Sequence, residues 1–191
     1  MANWTGCILT TKGRALSAKV EAGKTLLKLT KMKVGDGQPT SLEALTDLAS
    51  PKQVISLTGC EASSTGTCTV TGVLTNSDVT AGYYLRELGL YATDPDDGEI
   101  LYAVTTDANP DYWQAKDSAT ALSIALTMTI AISSADKVSA TIDPSGLVTA
   151  KMLEVHSISE KAHLNLLQVT STANKPASMS SRGLWVEIVE A

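Results

Sequence analysis

Histidine is the side chain that most often serves as a base or a metal ligand, and this chain of 191 residues holds two, His156 and His163. On one helix they would share a face, but two turns separate them by about 10 Å. One chain therefore cannot bring both to one ion. Three chains around an axis could each give the same histidine to a metal, since imidazole is a common ligand. Polar contacts near a helix end account for the pair without any ion. The expectation is no cofactor and no metal site, with His156 and His163 the only candidates for one.

Serine and threonine are plentiful, but a nucleophile needs a base within hydrogen-bond reach, and both histidines fall outside the main predicted domain. No G-x-S-x-G, phosphate-cradling glycine loop or zinc-protease motif occurs. Asp94, Asp96, Asp97 and Glu99 suggest a calcium loop or a glycosidase carboxylate pair. Pro95 inside the cluster and the missing EF-hand spacing argue against calcium, and a turn already uses these residues. The expectation is that the chain is not an enzyme and has no catalytic residue.

Cys7, Cys60 and Cys68 give neither a disulfide framework nor a zinc pattern. Cys60 and Cys68 lie symmetrically about a Ser-Ser-Thr-Gly turn and can face each other across a hairpin. Two small buried apolar residues in a reducing compartment need no bond; a bridge formed after release from the cell is the alternative.

The element that positions these groups is 82–104, GYYLRELGLYATDPDDGEILYAV. Two β-prone runs, 83–91 and 100–104, flank Asp94-Pro95-Asp96-Asp97-Gly98. Pro95 presets φ, the Asp side chains bond nearby amides, and Gly98 accepts a positive φ, so the segment predicts a β-hairpin. Tyrosines on both arms place it at the centre of a sheet. Arg86 and Glu87 are adjacent strand residues and point to opposite faces. One must face the interior, where a charge has to be paired; a scaffold salt bridge or a subunit contact is expected.

Around it, 43% of the residues are hydrophobic and 18% charged, while Phe is absent and aromatics make up 4%. The core must rest on Leu, Val, Ile and Ala, and the β-branched, hydroxyl-rich composition favours strands. The net charge of −5 and scattered cations, apart from Lys28, Lys31 and Lys33, argue against nucleic acid. The longest apolar tract, 119–132, is too short for a bilayer, so no membrane partner is expected. The first residues lack a secretory pattern, which predicts a protein made in, and at first residing in, the cytoplasm.

In chain order the patterns predict a helix over 10–22 and a strand over 25–34 with a bulge near Thr30. A helical turn over 41–48 follows, then strands over 53–62 and 67–75 and the central hairpin. A loop over 107–118 comes next, in which Tyr112 and Trp113 pack back onto the sheet, and then strands over 119–132 and 138–142. The fold class is α+β, mainly an antiparallel sheet or sandwich with a short N-terminal helix. The boundary is set at residue 146. Beyond it, 147–191 is a helical and strand association segment: mostly helical over 149–170, then a strand over 183–189. Its apolar residues Leu153, Ile158, Ala162, Leu164, Leu167, Leu184, Trp185, Val186 and Ile188 want a partner.

The hairpin string, preceded by LTTKGRALSAKVEAGKTLLKLTKMKVGDG and followed by VSATIDPSGLV, resembles the N-terminal domain of phage tail-collar or tail-fibre proteins over about residues 1–150. The resemblance rests on Gly82, Tyr83, Tyr84, Leu85, Arg86, Glu87, Gly89, Tyr91, Asp94, Pro95, Gly98, Glu99 and Tyr102. EVHSISEKAHLNLLQ is similar to the histidine-containing segment that follows such domains where a fibre shaft begins. The resemblance implies a structural protein of the virion tail, attaching a fibre to the baseplate or serving as a short-fibre adaptor in a host-attachment apparatus. It also implies baseplate or collar proteins and sister fibre chains as partners, in a homotrimer. The alternative is a cell-surface carbohydrate-binding β-sandwich with Tyr112 and Trp113 as its stacking platform.

Overall fold

The computed structural model describes residues 4–64, 66–116 and 122–143, together with the backbone of two short strands at 167–170 and 184–187. The chain divides into two compact units, Met1–Gly146 and Leu147–Ala191.

In the first unit, helix α1 (Thr11–Glu21) begins where Thr10 Oγ1 accepts from the Gly13 amide at 2.9 Å. It ends before Gly23, whose φ is 71°. Its buried face is Gly13, Leu16 and Val20. A Cβ on Gly13 would collide with the Tyr102 carbonyl, so the helix backbone lies directly on the strand beneath it.

That strand belongs to a sheet that curls into a half-barrel. Its members are β1 (Ile8–Leu9), β2 (Leu27–Gly35), β3 (Pro51–Ser63), β4 (Thr67–Thr75), β6 (Glu87–Asp94), β7 (Gly98–Thr106), β9 (Ser123–Ala131) and β10 (Val138–Ala140). The order is β1-β7-β6-β2-β3-β4-β9. The long strand β3 pairs with β2 up to Ser56 and with β4 from Leu57 onward. Where β3 leaves β2, β10 takes its place beside Leu27, Lys28 and Leu29 as a parallel partner. The β2–β6 register shifts between Leu29 and Lys31, the bulge expected near Thr30.

The core fills the side covered by α1, with Leu16, Leu29, Met32, Val34, Leu57, Leu74, Leu90 and Tyr102 among its most buried side chains. A smaller cluster of Leu48, Tyr91, Leu101 and Val104 lies on the other face of β6 and β7, with Leu42 and Leu45 packed against it. With both faces covered, β6 is buried at every position but Thr93, and its middle, Leu88–Ala92, carries no charge.

Four expectations change. The first hairpin arm, 83–91, is interrupted: β5 (Tyr83–Tyr84) pairs with β8 (Tyr112–Trp113) in a separate two-stranded sheet, and β6 starts only at Glu87. The break occurs because the Leu85 amide donates to Asp111 O while the Arg86 amide donates to Gly35 O, sending consecutive residues to different neighbours. Second, the hairpin is central on one side only. β6 lies between β2 and β7, but beyond β7 there is just the two-residue β1 and a Trp4–Asp107 bridge. Third, 41–48 is a series of turns, with Leu45 N to Leu42 O at 3.3 Å, because its bonds go outward to α1 and β6. Leucines at helical spacing reach the same cluster without a helix.

The fourth lies in the second unit. The last four residues of the predicted 149–170 helix form strand β11 (Leu167–Thr170), parallel to β12 (Leu184–Glu187), with Leu167 opposite Leu184 and Val169 opposite Val186. β-Branched Val169 and Thr170 favour the extended form. Among the described residues no helix is long and apolar enough to cross a membrane.

Candidate functional site

The residues singled out at 82–104 come together as a clamp with two ends, one at each end of β6. At its start Arg86 and Glu87 diverge as adjacent strand residues must. Glu87 is the buried one, fully enclosed. Among the described residues no cation meets it; three backbone amides do. Oε2 accepts from Gly37 at 2.8 Å and Ser50 at 3.1 Å, and Oε1 from Ala49 at 2.9 Å. These amides belong to the two ends of the connection between β2 and β3, so the carboxylate closes that loop at its base. Gly37 is required there, since a Cβ would meet Glu87 and Ala49.

Arg86 faces outward. Its Nε lies 3.0 Å from Asp36 Oδ1, and its guanidinium sits 5.1 Å from the centre of the Tyr84 ring. Tyr84 in turn meets Tyr112 edge to face at 5.3 Å. Tyr84 and Tyr112 are about half exposed, whereas Trp113 is buried in the core, which overturns its place in a stacking platform. Tyr83 is buried and donates to Gln53 Oε1 at 2.6 Å. Leu85 is buried beside it, and a Cβ on Gly82 would meet Trp113 O at 2.8 Å.

Asp94 holds the other end. Its Oδ1 accepts from the Asp96 amide at 2.8 Å and the Asp97 amide at 3.3 Å, which shapes the turn around Pro95. Gly98, opposite Asp94, takes a φ of 73°. Lys19 of α1 reaches the same carboxylate at 2.7 and 2.8 Å and Asp96 at 2.8 Å. Burial pushes the Asp94 carboxyl up, but Lys19 and the two amides outweigh it and hold it below the usual range. Hydrogen bonding to Asp94 and then Asp96 raises the Lys19 ammonium.

Between the ends, Tyr91 donates to Asp47, which Lys33 also meets at 2.8 Å, its ammonium 4.5 Å from the centre of the Tyr91 ring. Burial and then Asp47 push the Tyr91 phenol up. Glu99 pairs with Lys31 at 2.5 Å, and Tyr102 meets Ser17 at 2.9 Å. Gly89 leaves room for Leu101 and Leu48, both of which a Cβ would crowd. The carboxylates of the hairpin are thus engaged in holding α1, β2 and the 36–50 connection to one strand pair.

This clamp uses the tyrosines, glycines and charges of the hairpin in their sequence order. A family model for the N-terminal part of the phage tail-collar fibre protein matches residues 1–151. The chain belongs to this family. Membership in the tail-collar fibre family makes it a component of the phage tail. Neither curated proteins nor solved structures gave a match.

Sequence reasoning missed Lys19, Asp36 and Asp47, the side-chain partners of Asp94, Arg86 and Tyr91. Lys19 stands three residues past Leu16 on the covered face of α1, which was a usable signal; Asp36 and Asp47 sit in turns with no periodicity. His156 and His163, with Leu153, Ile158, Ala162, Leu164 and Ile188, lie outside the described residues. Leu167, Leu184, Trp185 and Val186 fall on the β11–β12 pair. Among the described residues no group of three or more His, Cys, Asp or Glu is placed to hold a metal ion.

Proposed function

We propose that this chain attaches a tail fibre to the baseplate or collar, or serves as a short-fibre adaptor at that position, and that it works by binding and not by turnover. The tail-collar family match over residues 1–151 carries the reading. Two surface features support it. β9 ends the sheet order, so its outer backbone edge has no strand partner among the described residues, and such edges accept strands from other chains. The half-exposed Tyr84 and Tyr112, with Arg86 beside them, make an aromatic and cationic patch of the composition favoured in interfaces.

Residues 147–191 then associate with sister chains or with a fibre partner, and the copy number is three. Light scattering of the full chain and of a chain ending at residue 146 tests this division. The expected result is a trimer that falls to monomer on truncation. A trimer that survives truncation would move the association into the first unit, and a full chain monomeric at all concentrations would remove the trimer from the proposal.

A further inference from the structure

Cys60 on β3 and Cys68 on β4 stand with their sulfurs 3.3 Å apart, both as free thiols. They are diagonal neighbours across the hairpin, with Cys60 opposite Val70 and Cys68 opposite Ala62. A disulfide bond measures about 2.0 Å, so closure asks little more than an ångström of movement from side chains already turned toward each other. We infer that Cys60 and Cys68 form a built-in dithiol site, which low-molecular-weight disulfides convert to an intramolecular bridge stapling β3 to β4.

The two sulfurs differ in a way that orders the reaction. Cys68 is fully buried, while Cys60 is half-buried and is the sulfur a reagent can meet. Burial, and then the neighbouring Cys60, push the Cys68 thiol up to about 12. Cys60 as thiolate attacks one sulfur of the reagent R–S–S–R, forming a mixed disulfide and expelling the first R–S⁻, which takes up the proton Cys60 lost. Cys68 then attacks Cys60 Sγ, closes the protein bridge and expels the second R–S⁻, which takes up the Cys68 proton. The protein loses two electrons and two protons, together two hydrogen atoms, and the reagent becomes two R–SH. The second step is slow at neutral pH, because it draws on the scarce Cys68 thiolate.

The third cysteine, Cys7, is exposed and precedes β1 in a different part of the sheet. Its removal leaves a clean test. Full-length protein carrying Cys7→Ala is reduced, freed of reductant and incubated with oxidised glutathione. The inference expects both thiols to disappear, a mass loss of about 2 Da for the two hydrogens, and a 60–68 cross-linked peptide after digestion. It also expects closure to speed up about tenfold per pH unit while the Cys68 thiolate remains the minor form. Peptide mapping of oxidised wild-type chain should give the same bridge with Cys7 outside it, which keeps the test valid if the variant folds poorly. Two surviving thiols, a glutathione adduct that never resolves, or disulfide-linked dimers would each overturn the inference.

Discussion

Glu87 Oε2 stands 2.8 Å from the backbone nitrogen of Gly37, and both ends of the connection between β2 and β3 meet on that carboxylate. Its neighbour Arg86 has a partly exposed ion pair with Asp36 and the half-exposed ring of Tyr84 beside it. The two residues therefore differ sharply in what their loss costs. Glu87→Gln places an amide N–H against at least one of three backbone donors, for a loss of roughly 1–3 kcal/mol. Arg86→Ala costs no more than about 1 kcal/mol. Urea unfolding midpoints of the two variants check the order; equal losses would contradict it.

Asp94 and Lys19 give the domain a pH signature. The Asp94 carboxyl is held below its usual range in the fold, so the stability it brings is complete above about pH 4. It is lost as pH falls through the lower folded value. Lys19 is raised, so its share is complete below about pH 10 and is lost as pH rises through the folded value. Asp94→Asn should cost roughly 1–3 kcal/mol at neutral pH. The gap from wild type should close in acid, as unfolding curves taken at stepped pH will show.

Gly13 fixes how closely α1 approaches β7. Gly13→Ala would gain helix propensity, about 1 kcal/mol, yet its Cβ meets the Tyr102 carbonyl, a backbone atom that cannot move aside. The net expectation is a loss of roughly 1–3 kcal/mol. Gly6, where a Cβ would have no neighbour within 4 Å, is the control, and Gly6→Ala should stay within about 0.5 kcal/mol of wild type.

Trp113 and Tyr112 separate structure from surface. Trp113 is 6% exposed and Tyr112 is 55% exposed. Trp113→Ala should destabilise by about 3–5 kcal/mol, while Tyr112→Ala should leave the unfolding free energy within about 0.5 kcal/mol of wild type. Weaker binding to tails in the Tyr112 variant, at unchanged stability, would assign the patch with Tyr84 to an interface.

What could be read in advance was whatever repeats locally. The Asp94–Gly98 turn announces itself through residue types that each suit one turn position, and the alternation of Leu126, Met128 and Ile130 marks β9. The bulge at Thr30 showed as a change in apolar phase. Long-range partnership left no such trace. Nothing near Glu87 in sequence says that its partners are backbone amides of the 36–50 connection, since every non-proline residue carries that donor. The transfer of β3 from β2 to β4, and the parallel β10 that follows from it, are choices among pairings that one strand pattern permits equally. The leucines at 42, 45 and 48 show the reverse error. Their spacing satisfies a helix, but the backbone bonds that would make one are spent on α1 and Glu87.

The proposed attachment is tested most directly by adding the purified full-length chain to tail particles that lack it, then sedimenting the mixture and imaging the pellet. Attachment at this position predicts that the chain sediments with the tails and sits at the collar or baseplate, where a fibre joins. A chain that stays in the supernatant, or one that is found only at the far end of a fibre, would contradict it.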